Sequence, residues 1–370
     1  MDKIEPYKSA QIDRKLTFNR NNSFQIELRR RVDEFFEQTG RRQRDCPQMY
    51  LKTAIILLTY LGLYVGLVFA AVTWWQALLL AILLGLSMAA IGFNIEHDGA
   101  HQAYSNYSWV NRLMAMTMDL LGASSYVWHW KHDVVHHTYV NIAGHDADIE
   151  LGIVGRLSPH QKHLRFHRWQ HFYLWPLYGV NVIKWQLYDD FRDVILGRIG
   201  VHRMPRPKGL VMVRFAGAKA IFFCIAFVIP MMVHSVWTVL LFYGVTVVTA
   251  GVVVSVVFQL AHCVEEADFP IPVKNSNLVD NSWAIHQVET TVNFARRSKV
   301  QSWLLGGLNF QVEHHLFPRI CHVNYPLISK LVEETCREYG VAYREHSTFR
   351  VGLASHFRWL RRMGTATASL

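Results

Sequence analysis

The sequence predicts an all-α integral membrane protein with four transmembrane helices, arranged as two hairpins with a cytoplasmic helical cap. Three observations lead to this fold class. The 370-residue chain is 51% hydrophobic, its apolar residues are gathered into two long blocks, and every lysine and arginine lies outside those blocks. A large soluble protein with two buried helical hairpins would rarely contain charge-free runs of this length.

The first block covers residues 53–95, 43 positions without a charged side chain. A membrane-crossing helix needs about 20 apolar residues, so this run predicts two helices with a tight turn near Thr73 to Trp75. The second block covers residues 220–261, where His234 is the one side chain with a basic group. It predicts a second hairpin with His234 and Ser235 at its tip.

The basic residues predict the orientation of the chain. Of the 38 lysines and arginines, 12 lie in residues 1–52, 14 in 96–219 and 12 in 262–370. An even number of crossings puts these three segments on one face, which the positive-inside rule makes cytoplasmic. We therefore expect a single membrane domain. Its parts are an N-terminal segment (1–52), a first hairpin (53–95), a cap segment (96–219), a second hairpin (220–261) and a second cap segment (262–370).

The N-terminal twenty residues are polar and lack the apolar core of a signal peptide, so the first hairpin is expected to direct insertion. In a bacterium this would be the inner membrane. The five cysteines form no CxxC pair, which predicts reduced thiols and no zinc ribbon. Membrane lipid is an expected partner, and nucleic acid is not.

Histidines stand at specific spacings where the predicted spans end. The stretch "NIEHDGAHQAYS" contains HxxxH, "WHWKHDVVHHTYVN" contains HxxxHH, and "GGLNFQVEHHLFP" contains QxxHH. A further histidine, His262, follows the fourth span. Histidines at positions i and i+4 of a helix share one face and can share a metal ion. HxxxH alone is a weak signal, but the predicted topology brings all four groups to one surface.

Eight or nine ligands exceed the needs of one ion, so the pattern predicts two metals. Neutral imidazoles without cysteine suit iron, copper, nickel or zinc better than magnesium or calcium. The alternative is a solvated histidine-rich surface without a metal.

These motifs, in this order and interleaved with two hairpins, resemble the integral-membrane fatty acid desaturases. Together with "HQVETTVNFA", they resemble most closely the front-end branch, of the linoleoyl-CoA desaturase-like, delta-6 and delta-5 type. The similarity covers roughly residues 25 to 345. The resemblance implies a non-haem centre of two iron ions that uses O2 and two external electrons to insert a cis double bond into an acyl chain. The ligands it implies are His97, His101, His132, His136, His137, His262, His314, His315 and, in the place of a further histidine, Gln311.

Relatives of this branch commonly carry a fused cytochrome b5 domain with an HPGG motif. The sequence has no HPGG. Electrons are therefore expected from a separate donor of the ferredoxin or cytochrome b5 type, and the substrate is expected to be an acyl-CoA or an acyl-lipid. Chain length, head group and the position of the new double bond depend on channel depth, which motifs do not encode.

Two further sets of residues are candidates for supporting roles. Acceptors near the motifs could hold the second ring nitrogens of the ligands. They are Glu96, Asp98, Asp133, Asp146, Asp148, Glu289, Asn293 and Glu313. Aromatic residues flanking the motifs could line a dry acyl channel. They are Tyr126, Trp128, Trp130, Trp283 and Phe310.

A rival group of four histidines lies in "SPHQKHLRFHRWQHFYLWPLYG". His160, His163, His167 and His171 are spaced by 3, 4 and 4 residues, which predicts one stripe of a helix on the membrane surface. Its basic neighbours favour contact with lipid phosphates over a second metal site. The same basic surface could receive a CoA phosphate or an acidic electron carrier.

Two other functions compete with the desaturase. A membrane di-iron hydroxylase shares the histidine motifs, although HxxxHH and QxxHH favour the desaturase. A membrane metal or haem transporter should carry histidines along a path through its spans, and only His234 lies inside a charge-free run.

Overall fold

A computed structural model describes residues 15–273 and 276–365, and most of this part of the chain is helical. The N-terminal residues 1–14, on which part of the insertion argument depends, lie outside the described residues. The α-helices are α1 (Ser23–Thr39), α2 (Pro47–Val65), α3 (Trp74–Ile91), α4 (His97–Ala100), α5 (Ser108–Ala115), α6 (Thr117–Leu120), α7 (Ser125–Trp128), α8 (His137–Tyr139), α9 (Gln170–Tyr178), α10 (Val180–Lys184), α11 (Asp190–Leu196), α12 (Leu210–Phe223), α13 (Ile229–Met231), α14 (Val236–His262), α15 (Trp283–Glu289), α16 (Lys299–Leu304), α17 (Gln311–Leu316), α18 (Tyr325–Glu338) and α19 (Phe349–Thr365).

Shorter elements connect these helices. π-helical turns occur at Gly66–Ala70, Gly92–Glu96, His129–His136, Trp185–Asp189 and Cys224–Val228. The 3₁₀ turns are Ala147–Ile149, Arg165–Trp169 and His322–Asn324. Six short strands form three pairs: β1 (Thr17–Asn19) with β4 (Leu278–Ser282), β2 (Arg198–Ile199) with β3 (His202–Arg203), and β5 (Asn293–Phe294) with β6 (Glu345–His346).

Four helices of the described chain are long and apolar enough to cross a membrane. They are Pro47–Ala70, Trp74–Ala100, Leu210–Met231 and Val236–His262. Each contains a charge-free part predicted from the sequence, but the helices extend past it, and the extensions contain charged residues such as Lys52 and Lys219. Because Trp74–Ala100 and Val236–His262 run on into the histidine motifs, these two helices carry His97 and His262 of the predicted metal site.

Two short connections join the spans in pairs. Ala71–Thr73 separates the first two spans, and Thr73 with Gln76 closes a capping box at the start of α3. Met232–Ser235 separates the last two, and the Ser235 hydroxyl accepts a hydrogen bond from the backbone of Thr238. Both turns lie within a few residues of the predicted positions. A ring nitrogen of His234 lies 2.7 Å from the carbonyl oxygen of Val68, so the second connection contacts the last turn of the first span.

The centre of the helical bundle is formed where α3 packs against α14. A Cβ added at Gly85 would lie 2.4 Å from the carbonyl oxygen of Thr246. Only glycine therefore allows the two backbones to approach so closely, and this contact fixes the relation between the two spans that lead into the histidine motifs.

The remaining helices lie around the motif end of the spans. Helix α1 packs on α18, and α19 packs on α9 and α14. The parallel pairs β1–β4 and β5–β6 link residues far apart in sequence. This layer holds α17 over the ends of α3 and α14.

Candidate metal centre

Eight histidines from four parts of the chain lie in one buried cluster. None is more than 7% exposed, and the ring centroids of neighbouring pairs are 4.3 to 6.2 Å apart. The members are His97, His101, His132, His136, His137, His262, His314 and His315. The structure thus brings together every histidine that the sequence analysis proposed as a ligand.

The HxxxH pair lies at the end of the second span. The π-helical turn Gly92–Glu96 leads into α4, which begins at His97, and His101 follows the last residue of α4. The two ring centroids are 4.7 Å apart, as the spacing predicts. Gly99 lets this turn lie against α5, because a Cβ there would be 2.5 Å from the backbone nitrogen of Ala115.

The HxxxHH motif lies on a π-helical turn, His129–His136, followed by α8. The rings of His132 and His136 stack with centroids 5.1 Å apart and planes 15° from parallel. The ring of His137 is turned by 87° from both. Single π-helical turns are rare and recur at functional sites. Here the turn and the first residue of α8 direct three imidazoles, which lie within six residues of the sequence, in two directions.

The QxxHH motif is helix α17, and two features place it. Gly306, in the "GG" before the motif, has φ +60°, and a Cβ there would lie 2.0 Å from the carbonyl oxygen of Phe93. The loop before α17 therefore sits directly on the π-helical turn that leads to His97. Asn293 accepts a hydrogen bond from the backbone of Val312 at 2.9 Å, which holds the first turn of α17.

One set of three histidines has its ring nitrogens arranged for a metal ion. His136, His262 and His315 each offer a nitrogen atom, all within 4.8 Å of one another. The Nδ1 atom of His136 lies 3.1 Å from a carboxylate oxygen of Asp146, and that of His262 lies 3.3 Å from the carbonyl oxygen of Thr290. The Nε2 atoms of all three lack a hydrogen-bond partner in the described chain. Three fixed rings with free nitrogens fit metal coordination.

A second set contains four histidines. His97, His101, His132 and His314 offer nitrogens that all lie within 4.8 Å of one another. Both ring nitrogens of His132 and the Nε2 atom of His101 lack a hydrogen-bond partner among the described residues. Buried polar atoms without partners are uncommon in proteins, and coordination of a metal ion is one reason why they occur.

His137 lies between the two sets. Its Nε2 atom is 3.0 Å from the Nε2 atom of His314, and its ring stacks on that of His315 with centroids 4.3 Å apart. These three histidines form a further group of potential ligands. A ring in this place can serve either set, so the cluster is continuous.

Burial keeps most of these imidazoles neutral. It lowers the pKa of each of the following rings, and the neighbouring histidines lower it further: His101, His137, His314 and His315. Burial also lowers the pKa of His132. A neutral imidazole keeps a lone pair for a metal ion, whereas a protonated one does not.

Two aspartates, both proposed as supporting residues, support the HxxxHH motif. Burial alone would lower the pKa of His136, but the carboxylate of Asp146 more than offsets it, so the pKa is raised. Burial would raise the pKa of Asp148, and the Lys131 ammonium at 2.9 Å instead holds it well below its usual range. Asp148 is therefore a carboxylate that attracts positive charge to the cluster, and Asp146 contacts the ring of His136 directly.

Asp133 and Asp98 take different positions. Asp133 lies 3.5 Å from the Nε2 atom of His101 and 2.8 Å from the exposed ring of His129. Asp98 instead faces away from the neighbouring ligand ring, toward His322, with a carboxylate oxygen 3.0 Å from the Nδ1 atom.

The other proposed acceptors are of three kinds. Glu96 is buried beside the cluster, and one carboxylate oxygen lacks a partner in the described chain. Glu313 accepts hydrogen bonds from Asn293 at 2.8 Å and from the Tyr343 hydroxyl at 2.7 Å, which fixes α17 rather than an imidazole. Glu289 lies outside the cluster and accepts a hydrogen bond from an asparagine in β4.

Two partners of the clustered histidines were not predicted from the sequence. The Oε1 atom of Gln287 lies 2.9 Å from the Nδ1 atom of His315, and the Tyr325 hydroxyl lies 3.2 Å from the Nδ1 atom of His314. Gln287 lies in "HQVETTVNFA", a stretch noted only for its resemblance. Its full burial and pairing with a histidine 28 residues away could not be read from local spacing.

An apolar cavity reaches the cluster from the spans. Its volume is about 100 Å³, and its wall includes His97, His132 and Gln311. Gln311, the first residue of α17, therefore faces the cavity beside rings of the four-histidine set. Trp128, whose ring stacks on that of His132 at 4.7 Å, and Trp185 also line it.

Of the five aromatic residues proposed for a channel, Trp128 alone lines this cavity. Phe310 is buried in a separate hydrophobic cluster with α1 and α18. The hydroxyl of Tyr126 donates to the carbonyl of residue 205 at 2.7 Å, and the indole of Trp283 donates to the carbonyl of His137 at 3.1 Å. Trp130 packs beside α11. Nearness to a motif in sequence was a poor guide because successive side chains of a helix point in different directions.

The predicted helical stripe of four histidines is wrong. Residues 158–161 form a turn, 162–164 have no regular structure, Arg165–Trp169 is a 3₁₀ turn, and of the four histidines only His171 belongs to α9. The rings of His160, His163 and His167 lie 2.8 to 2.9 Å from backbone carbonyl oxygens of other segments. Each of these three histidines contacts the backbone of another segment, and their spacing does not reflect a helix.

The sequence is similar to known proteins over most of its length. The sequence profile described as "Fatty acid desaturase" matches residues 73–347. The chain is 39% identical over 95% of its length to the sn-1 linoleoyl-lipid 6-desaturase of Synechocystis, of which the match covers 99%. The chain belongs to the fatty acid desaturase family. The sn-1 linoleoyl-lipid 6-desaturase of Arthrospira platensis is 40% identical over 94% of this desaturase, with 95% of that protein covered.

More distant relatives are also desaturases of the front-end type. The acyl-lipid (8-3)-desaturase of Physcomitrium patens is 35% identical over 93% of the chain and 72% of its own length. This desaturase is therefore an oxidoreductase that acts on fatty acyl chains, and its buried histidine groups fit a metal site. The front-end resemblance seen in the motifs is confirmed.

Proposed function

We propose that this desaturase inserts a cis double bond into the acyl chain of a membrane lipid, with O2 as co-substrate, at two iron ions held by the histidine cluster. The observation that carries the proposal is the placement of free imidazole nitrogens on the wall of an apolar cavity. An acyl methylene has no acidic proton, so side-chain acid–base chemistry alone does not remove its hydrogens.

The donor set of the cluster fits iron. Imidazoles suit iron, copper, nickel or zinc, and no cysteine takes part in the two main histidine groups. Family membership favours iron among these metals. One ion would be held by His136, His262 and His315, and the other by the set of four, with His137 between them. Bound iron would supply the oxidising power that breaks the two C–H bonds.

The overall reaction balances with two external electrons. Two hydrogen atoms leave adjacent carbons of the acyl chain, which becomes an alkene. O2 takes up these two hydrogen atoms together with two electrons and two protons and becomes two waters. The protein fixes the ligand rings through Asp146 and Gln287 and keeps water from the reacting carbons by burial. A separate protein of the ferredoxin or cytochrome b5 type would supply the electrons.

The cavities suggest how the acyl chain lies. A larger cavity of about 450 Å³ lies among the four spans, and Met88 and Leu121 line both it and the smaller one. An acyl chain whose reacting carbons are beside His97 and His132 therefore finds an apolar continuation between the spans. Trp128, stacked on His132, would hold one side of the chain.

The spans support a two-hairpin topology with the histidine cluster on the cytoplasmic face. The three-residue and four-residue connections lie together at one end, and the cluster lies at the other. Lysine and arginine are concentrated in the segments at the cluster end. The protein would then be a multi-pass protein, in the inner membrane if the source is a bacterium.

The relatives favour an acyl-lipid over an acyl-CoA. Two proteins about 40% identical over nearly the whole chain are named sn-1 linoleoyl-lipid 6-desaturases. We therefore propose a linoleoyl-containing glycerolipid as the substrate and carbon 6 as the position of the new double bond.

Expression in a host that lacks polyunsaturated fatty acids, fed linoleate, tests the function. The expected product is a fatty acid with a new double bond at carbon 6, located by mass spectrometry. This desaturated product should appear in glycerolipid before it appears in acyl-CoA. His315→Ala should abolish it. His163→Gln is the matched control, because the ring of His163 lies against the backbone carbonyl of Gly364, outside the cluster. A hydroxy acid in place of the alkene, or activity retained by His315→Ala, would contradict the proposal.

Gln311 has its own test. It lines the same cavity as His97 and His132, where its carbonyl oxygen could bind iron, a water or a neighbouring ring. Gln311→Ala is expected to abolish or strongly reduce turnover. Wild-type activity in this variant would show that the residue only fills space.

A further inference from the structure

The segment Gln170–Leu196, here called the inserted segment, lies deep beside the spans. It consists of α9, α10, the π-helical turn Trp185–Asp189 and α11. A Cβ added at Gly179 would lie 2.7 Å from a side-chain carbon of Val248. Val182 shares a hydrophobic cluster with Val247 and Ala250 of the last span.

The depth of these contacts follows from helix geometry. Val247 is 11 residues from the start of α14, which at 1.5 Å per residue is about 17 Å from the turn at the far side of the membrane. Because the hydrocarbon core is about 30 Å thick, the contact lies about 13 Å inside the cytoplasmic boundary of that core.

A different span gives the same depth. Asp190 at the start of α11 pairs with Lys219 at 2.7 Å. Lys219 is 12 residues from the last residue of its span, Met231, and so lies about 18 Å from the far side. Two parts of the inserted segment are thus fixed at one level by two independent helices.

The side chains of the inserted segment suit a lipid environment. Apolar residues at its outer face are between 41 and 70% exposed: Phe172, Leu177, Val180, Leu187, Tyr188, Ile195 and Leu196. All five lysine, arginine and aspartate side chains in the segment are paired. The pairs are Lys184 with Asp189 at 3.0 Å, Arg192 with Asp193 at 2.7 Å, and Asp190 with Lys219. Charged groups at membrane depth are expected to be paired in this way.

We propose that the inserted segment is embedded in the cytoplasmic leaflet, with its exposed apolar side chains in contact with lipid acyl chains. It does not belong to an aqueous cap. This inference rests on the membrane crossings of the proposed function. Val182 and Trp185 line the smaller cavity and Gln186 lines the larger one, so the segment forms part of the wall of both cavities. An acyl chain of the bilayer would reach the histidine cluster by passing this segment sideways.

Nitroxide labels on the full-length protein in lipid nanodiscs test the embedding. Val180→Cys and Tyr188→Cys, each in a Cys224→Ser background, place labels on the outer face. The other four cysteines are buried and should not react. The wild-type label at Cys224, exposed on the third span, is the control for lipid depth, and Glu334→Cys on α18, also in the Cys224→Ser background, is the control for water.

The measured quantity is the ratio of collision rates with O2 and with a water-soluble nickel chelate. The ratio should be several-fold higher at positions 180 and 188 than at 334, and close to that at Cys224. If the ratios at positions 180 and 188 match the ratio at position 334, while the ratio at Cys224 is that of a lipid-exposed site, only the embedding of the segment is overturned. An aqueous ratio at Cys224 would overturn the membrane crossings as well.

Discussion

Replacing Gln287 with leucine should weaken metal binding by one half of the cluster. Gln287 is fully buried, and its Oε1 atom is 2.9 Å from the Nδ1 atom of His315. Leucine has a similar size but no acceptor, so the ring of His315 loses the partner that sets its orientation. Loss of such a partner typically weakens metal binding by about 10- to 100-fold. That factor equals about 1.4 to 2.7 kcal/mol.

The assay is competition between the purified protein and an iron chelator at graded concentrations. Gln287 contacts His315, a member of the three-histidine set and not of the set of four, so about half of the iron should leave at a chelator concentration about 10 to 100 times lower than in wild type. The remaining half should leave at the wild-type concentration.

Thr291→Val is the matched control. Its hydroxyl is also fully buried but donates to the backbone carbonyl of Gln287, not to an imidazole. This variant should lose stability without changing iron release. Release curves for Gln287→Leu that coincide with wild type in a folded protein would refute the reasoning.

Three other outcomes follow from the geometry. Gly306→Ala should prevent assembly of the iron centre, measured as lost iron, because its Cβ would lie 2.0 Å from a carbonyl oxygen. Gly40 has a similar φ but open space around an added Cβ, so Gly40→Ala should bind iron normally and lose only about 1 kcal/mol of stability. Met88→Trp should shift products toward shorter acyl chains in a mixed feed, whereas Leu86→Trp, at a lipid-exposed site of the same helix, should not. Burial lowers the pKa of His356 to about 4, so its stabilising contribution is complete above pH 6.5 and is lost as the pH falls from 6.5 to 4. His356→Gln should therefore flatten the pH dependence of the unfolding temperature in that range, and an unchanged slope would contradict this.

The membrane-length helices and the clustering of the histidines could be predicted because their signals are local. A charge-free run of 43 residues has few interpretations, and histidines four residues apart share one face wherever the chain is helical. The π-helical turn at His129–His136 did not disturb the prediction, since positions four residues apart still share a face.

The partners of those histidines could not be predicted for the opposite reason. Gln287 and Tyr325 reach their rings through tertiary packing, and no spacing rule marks them. The prediction for His160 to His171 failed in the opposite way. Their spacing is helical, but most of that stretch folds as turns. Hydrogen bonds between those rings and distant carbonyl groups account for the histidines without a helix.

The inserted segment also escaped the sequence analysis. Its apolar residues are interrupted by five charged side chains, so no charge-free run reveals it. The pairing of those charges with one another and with Lys219 becomes visible only in the fold.

The metal content of the purified protein tests the central claim most directly. The account predicts two iron ions per chain, with X-ray absorption showing nitrogen and oxygen ligands only. It further predicts that His136→Ala loses one iron and keeps the other, because His136 belongs to the three-histidine set and not to the set of four. A single iron per chain, sulfur coordination, or a fully iron-loaded His136→Ala would contradict the assignment of two ions to the two sets.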